Sequence, residues 1–102
     1  MGGLKVRKGF RALYPGEILK EDLADVGISA AELARDLRVP PNRITRIING
    51  QQSITADTAL RLAHWFGTGA QYWLNLQRNY DLAIAKSDVG PVVRKLPRYK
   101  AA

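Results

Sequence analysis

The 102-residue sequence predicts an all-α domain of five helices, the fifth longer than the rest. Apolar residues recur at helical spacing through five segments, and each segment is bracketed by capping residues, prolines or glycines. Strand patterns are absent apart from the short run Pro91-Val92-Val93. At 46% hydrophobic and 25% charged, the composition is that of an ordinary globular chain with enough length for one core.

The elements follow in order. Residues 1–13 read as an irregular basic arm. Pro15 suits a first helical position, where its missing N–H is not needed. GEILKEDLADV then turns Ile18, Leu19, Leu23 and Val26 to one face, and Gly27 stops the helix. Ser29-Ala-Ala-Glu32 is a capping box opening a second helix with Leu33, Ala34 and Leu37 inward. Arg38-Val39-Pro40 is a tight turn. Pro41 opens a third helix, PNRITRIIN, with Ile44, Ile47 and Ile48 inward and Asn49-Gly50 as its stop. Thr55 is the expected N-cap of a fourth helix, with Asp57 near the positive end of its dipole. Ala59, Leu60, Leu62, Ala63 and Phe66 form its apolar face, and Gly67 ends it. Thr68-Gly-Ala-Gln71 is a second candidate capping box. The fifth helix is expected from about Gln71 to Ala85, with Gly90-Pro91 and Pro97 preventing helix beyond it. The organisation expected is a basic arm at 1–13, a folded domain at 14–86 and a basic tail at 87–102, with no internal repeat.

The charge lies at the ends. The net charge is +7. Residues 1–20 hold five basic residues and one acid, residues 86–102 the same, and residues 21–85 six arginines against seven acids. A sequence pI near 10.2 points to a polyanionic partner, nucleic acid first. The chain has no cysteine and one histidine, His64, so thiolate zinc sites, disulfides and thiol nucleophiles are excluded. His64 has no second His or Cys to work with, and no paired acids stand out, so neither a metal, a cofactor nor an enzymatic activity is expected. No apolar run approaches a membrane span and no signal peptide is visible. A cytoplasmic protein with no membrane association is the expectation.

The turn between the second and third helices has helix-turn-helix spacing. Ala34 sits where two crossing helices come closest, Ile44 follows ten positions later, and Leu37 and Val39 fill the space around the turn. The third helix then turns Asn42, Arg43, Thr45 and Arg46 outward, with no acid between Val39 and Ala56. Arginine pairs with guanine, asparagine with adenine, and threonine reaches a base edge or a phosphate. On the fifth helix, Trp73, Leu74, Leu76, Tyr80, Leu82 and Ile84 cover more than one face. That surplus predicts a second copy as partner, across Trp73, Leu76, Tyr80 and Ile84. A stacking platform for single-stranded RNA built from Trp65, Trp73 and Tyr80 is the weaker alternative to core packing.

The segments YPGEILKEDL and ISAAELARDLRVPPNRITRIINGQQSITADTALRLAHWFGTGAQYWLNLQRNYDLAIA resemble the HigA antitoxins of the Xre/Cro-like helix-turn-helix class, from Tyr14 to Lys86. The resemblance implies a lambda-repressor-like DNA-binding domain with its motif at about 29–49. It further implies a homodimer that represses its own operon at a palindromic double-stranded operator. The implied protein partner is HigB, a ribosome-dependent mRNA endonuclease toxin. The family's recognition positions fall on Pro41, Asn42, Arg43, Thr45 and Arg46. Base reading is expected from Pro41, Asn42, Thr45 and Arg46, and phosphate contact from Ser29, Arg38, Arg43, Gln51 and Gln52. Three positions depart from the pattern. Tyr14 stands where the family usually has His, Arg38 where the turn usually has Gly, and Gly69-Ala70 where Ser-Pro is usual. A left-handed Arg38 would be strained by about 1 kcal/mol. The alternatives are a lone Xre-type regulator without a toxin, or an antitoxin that acts by protein contact without specific DNA binding.

Overall fold

Helical spacing in the sequence becomes helix in the computed structural model, which describes residues 14–100. Among these residues there are five helices and no strand: α1 (Pro15–Val26), α2 (Ala30–Leu37), α3 (Pro41–Ile48), α4 (Ala56–Phe66) and α5 (Ala70–Val93). The expected N-terminal arm, 1–13, lies outside the described residues. No helix among them is long and apolar enough to cross a membrane.

The capping signals of α2 and α4 operate as expected. The Ser29 hydroxyl accepts the Glu32 N–H at 3.1 Å, and the Glu32 carboxylate accepts the Ser29 N–H at 2.8 Å, completing the box on α2. The Thr55 hydroxyl accepts the Thr58 N–H at 3.4 Å and caps α4. The α2–α3 turn begins at Arg38, whose φ of 59° makes it the sole non-glycine with positive φ among the described residues. Its N–H and that of Val39 return to α2, the latter to the Ala34 carbonyl at 3.0 Å, so the last carbonyls of α2 are satisfied. Those bonds offset a backbone strain of about 1 kcal/mol.

Packing follows a simple scheme. α1 lies across α3 and α5, α2 packs on α3 and α4, and α4 packs on α5. The shared core contains Leu19, Leu33, Ala34, Ile44, Leu62 and Trp73, all essentially sealed from solvent. Each large apolar side chain there contributes about 1.5–3 kcal/mol. The closest approach is backbone to backbone. Gly16 of α1 is buried, and a Cβ there would overlap the carbonyl of Ile47 on α3. The Tyr14 hydroxyl donates to that same carbonyl at 2.6 Å. Burial first, and the neighbouring Tyr80 second, raise the Tyr14 pKa above its ordinary value.

Several expectations are corrected. α5 runs beyond Ala85, through Gly90 and Pro91, to Val93. Pro91 removes one donor from the helix, but Gly90 has no Cβ to clash with the proline ring, and the Arg94 N–H resumes the ladder on the Gly90 carbonyl at 3.0 Å. The run 91–93 is therefore helix, not strand. The Thr68–Gln71 box does not form. Gly69 is the N-cap of α5, with no side-chain cap, and the Gln71 amide donates to Asn75 instead. Val26 and Leu60 are more than half exposed rather than inward. Val26 lines an open groove beside Phe66, Tyr72 and Trp73, and Leu60 is about 100° around α4 from Ala59.

Two substitutions test the backbone argument. Gly16→Ala should lose about 3 kcal/mol in urea unfolding, because the obstacle is a carbonyl and not a movable side chain. Arg38→Gly should gain about 1 kcal/mol in the same assay by relieving the left-handed conformation.

Candidate nucleic-acid interface

α3 presents two faces of opposite character. Ile44 and Ile47 are sealed inward. Pro41, Asn42, Thr45 and Arg46 are exposed together on the other side. The Asn42 amide and the Arg46 guanidinium have no protein partner among the described residues. The Thr45 hydroxyl donates to the Asn42 carbonyl in its own helix at 3.3 Å, a long, exposed bond. The helix thus displays an amide, a guanidinium fork and a hydroxyl over about one and a half turns, a set suited to base edges in a major groove.

Arg43 is built in differently from its neighbours. Its guanidinium donates to the Asp57 carboxylate at 2.6 Å, joining the start of α3 to the start of α4. Arg61, one turn along α4, reaches the same carboxylate at 3.2 Å. Its Nη1 donates to the Leu37 carbonyl at 2.7 Å, at the end of α2. One carboxylate and two arginines therefore fasten three helices around the turn. Hydrogen bonds from Arg43 and then Arg61 hold the Asp57 carboxyl below the usual carboxylate range. Arg43, expected at a phosphate, has one edge of its fork committed to this pair. Neither Asp57 as a bracket nor Arg61 was singled out from the sequence. The i,i+4 spacing of Asp57 and Arg61 was the available signal.

The other expected contacts surround this face. Ser29, Arg38, Gln51 and Gln52 are all exposed. Ser29 is occupied as an acceptor by its own capping box, and its hydroxyl hydrogen remains available to donate. Gln51 and Gln52 belong to the loop 49–55 between α3 and α4. That loop makes two contacts that the sequence did not disclose. Its Gly50 backbone lies against the Tyr14 hydroxyl, and the Ile54 N–H donates to Gln77 Oε1 on α5 at 2.8 Å.

The aromatic residues form no platform. Trp73 is 1% exposed, so its side chain is spent inside one chain and is not available to a second copy. Its indole N–H is buried without a hydrogen-bond partner. Trp65 is half-buried and donates to Asp36 at 3.0 Å, and Tyr80 packs its ring on Tyr14 at 5.4 Å between centroids. Leu76, Tyr80 and Ile84 remain partly accessible on α5. His64 is exposed.

The Asp57 pair carries a pH signature. A carboxyl whose pKa is depressed in the folded state adds stability that is complete above the unfolded value of about 3.9 and is lost as pH falls through the folded value. The melting-temperature gap between wild type and Asp57→Asn should therefore be widest above about pH 5 and close below about pH 4.

Known proteins share this fold. The helix-turn-helix family model matches residues 19–73. Virulence-associated protein I of Dichelobacter nodosus is 54% identical over 78 residues, which cover 76% of this chain and 72% of that protein. An antidote protein of the HigA family from Coxiella burnetii superposes with a TM-score of 0.83 at 48% identity, covering 88% of this chain and all of that one. The antitoxin HigA of Pseudomonas aeruginosa, solved with the higBA promoter, gives a TM-score of 0.83 at 39% identity over 88% of this chain and all of that one. The chain belongs to the helix-turn-helix family, among its HigA-type antitoxins, a DNA-binding and non-enzymatic class of regulator.

Proposed function

We propose that this protein is a dimeric autorepressor that binds a palindromic operator in the cytoplasm and also neutralises a HigB-like mRNA endonuclease. The observation that carries the DNA half is the exposed face of α3, where the Asn42 and Arg46 side chains have no partner among the described residues and no acid intervenes. Relatives solved with promoter or operator DNA support it. The toxin half rests on similarity to HigA relatives alone.

Two copies related by a two-fold axis put their α3 helices into successive major grooves about 34 Å apart. Arg46 meets the two acceptors of a guanine, Asn42 those of an adenine edge, and Pro41 and Thr45 supply apolar and hydroxyl contacts. Arg43 and Arg38, with Ser29, Gln51 and Gln52, hold the phosphates on either side and set the register. Repression is occlusion of the promoter. The dimer seam lies on α5 at Leu76, Tyr80 and Ile84, the part of the expected seam that one chain leaves accessible.

Arg46→Ala should cost about 1–3 kcal/mol on a duplex selected by the wild-type protein from a random pool, and the loss should shrink when the guanine pair it reads is changed. Equal losses on selected and random DNA would make Arg46 a phosphate contact instead. Removing residues 94–102 takes away Arg94, Lys95, Arg98 and Lys100. This should weaken binding to all sequences alike and flatten the salt dependence by about 0.9 per lost phosphate contact. For the seam, Ile84→Asp should shift the mass measured by light scattering from dimer to monomer. Copurification with the coexpressed product of a neighbouring toxin gene tests the antitoxin role.

A further inference from the structure

The loop that follows α3 has one apolar anchor, Ile54 at its far end, and the stretch 49–53 before it has none. Asn49, Gly50, Gln51, Gln52 and Ser53 are all exposed. Ordering each such residue costs about 1–2 kcal/mol of backbone entropy. A loop that orders only when DNA arrives subtracts that cost from affinity. In this protein the loop is held at both ends by residues outside the helix-turn-helix.

At its start, the Ile47 carbonyl accepts the Tyr14 hydroxyl at 2.6 Å and the Gly50 N–H at 3.2 Å. Gly50 has a φ of 81°, and a Cβ there would sit 2.6 Å from the Tyr14 hydroxyl, so phenol and loop backbone are in direct contact. At its far end, the Ile54 N–H donates to Gln77 Oε1 at 2.8 Å. The Gln77 amide is itself oriented, because its Nε2 donates to Asp81 Oδ1 at 2.9 Å, one turn further along α5. Tyr80, between Gln77 and Asp81, packs its ring on Tyr14. One patch of α5 therefore supports both pins.

We propose that Tyr14 and Gln77 are positioning residues for DNA binding, which fix the 49–53 loop in advance so that Gln51 and Gln52 meet phosphates without an ordering cost. This rests on the reading of that loop as a phosphate contact. It makes α5 a determinant of operator affinity although it carries no base-reading residue.

The test measures binding by fluorescence anisotropy on a duplex that the wild-type protein selects from a random pool. The variants are Tyr14→Phe, Gln77→Met and Asp81→Asn, alone and combined with Gln51→Ala/Gln52→Ala. Phe keeps the ring contact, Met keeps the length of Gln and its helix propensity, and Asn keeps the acceptor that orients Gln77. Tyr14→Phe and Gln77→Met should each weaken binding about three- to tenfold, with the base preference at the selected site unchanged. Asp81→Asn should stay within about twofold. On the Gln51→Ala/Gln52→Ala background, Gln77→Met should change the Kd less than about twofold, because its effect runs through those side chains. Amide exchange at Gly50 and Ile54 should quicken in the single variants while the α2 and α4 amides stay protected. A full loss from Gln77→Met on that background, or unchanged binding in both single variants, overturns the proposal alone. If Gln51→Ala/Gln52→Ala leaves binding intact, the loop is no phosphate contact, and that reading falls together with the proposal. Retention of Arg46-dependent specificity would then show that the α3 reading survives.

Discussion

The carbonyl of Ile47 is the point on which the arrangement depends. It lies in the last turn of α3, against the backbone of Gly16 on α1, and it accepts from Tyr14 and Gly50. The contact between Gly16 and this carbonyl sets the distance between α1 and α3, since nothing larger than a hydrogen fits between them. With α1 in that position, Leu19 and Leu23 reach the core, and the outer face of α3 is turned to solvent. The orientation of α3 thus derives from a helix that does not belong to the helix-turn-helix.

Electrostatics completes what packing begins. The middle of the chain is nearly neutral, yet its arginines are not equivalent. Arg43 and Arg61 share Asp57 and hold α2, α3 and α4 together, while Arg46 has no protein partner among the described residues. Surface ion pairs are individually worth little, but this one closes a network that ends on a backbone carbonyl. It separates arginines that organise the turn from one whose side chain is exposed.

Local chemistry made much of this legible. The Ser29–Glu32 box, the Thr55 cap and the helix-turn-helix spacing of Ala34 and Ile44 involve residues within about ten positions of each other, and they could be read directly. The Asp57–Arg43 pair spans 14 positions and the Ile54–Gln77 bond 23, and no periodicity announces such partners. The burial of Trp73 within its own chain is hidden from the sequence for another reason. Helical spacing reports which residues share a face, but not whether that face meets its own chain or a second one. The end of α5 is hidden because Gly90-Pro91 reads as a breaker, whereas the glycine is what lets the proline sit within the helix.

The far end of α5 bears on how the protein melts. Beyond Ala85 nearly every side chain is exposed, so these turns are helical with little tertiary packing to hold them. A helical stretch of that kind opens with a free energy far below that of the core, and it frays gradually as temperature rises. Far-UV ellipticity would then decline over a broad range ahead of the cooperative transition, while the near-UV signal of Trp65 and Trp73 stayed flat. Two probes would give two curves from one small domain, and a two-state fit to the ellipticity alone would understate the unfolding enthalpy.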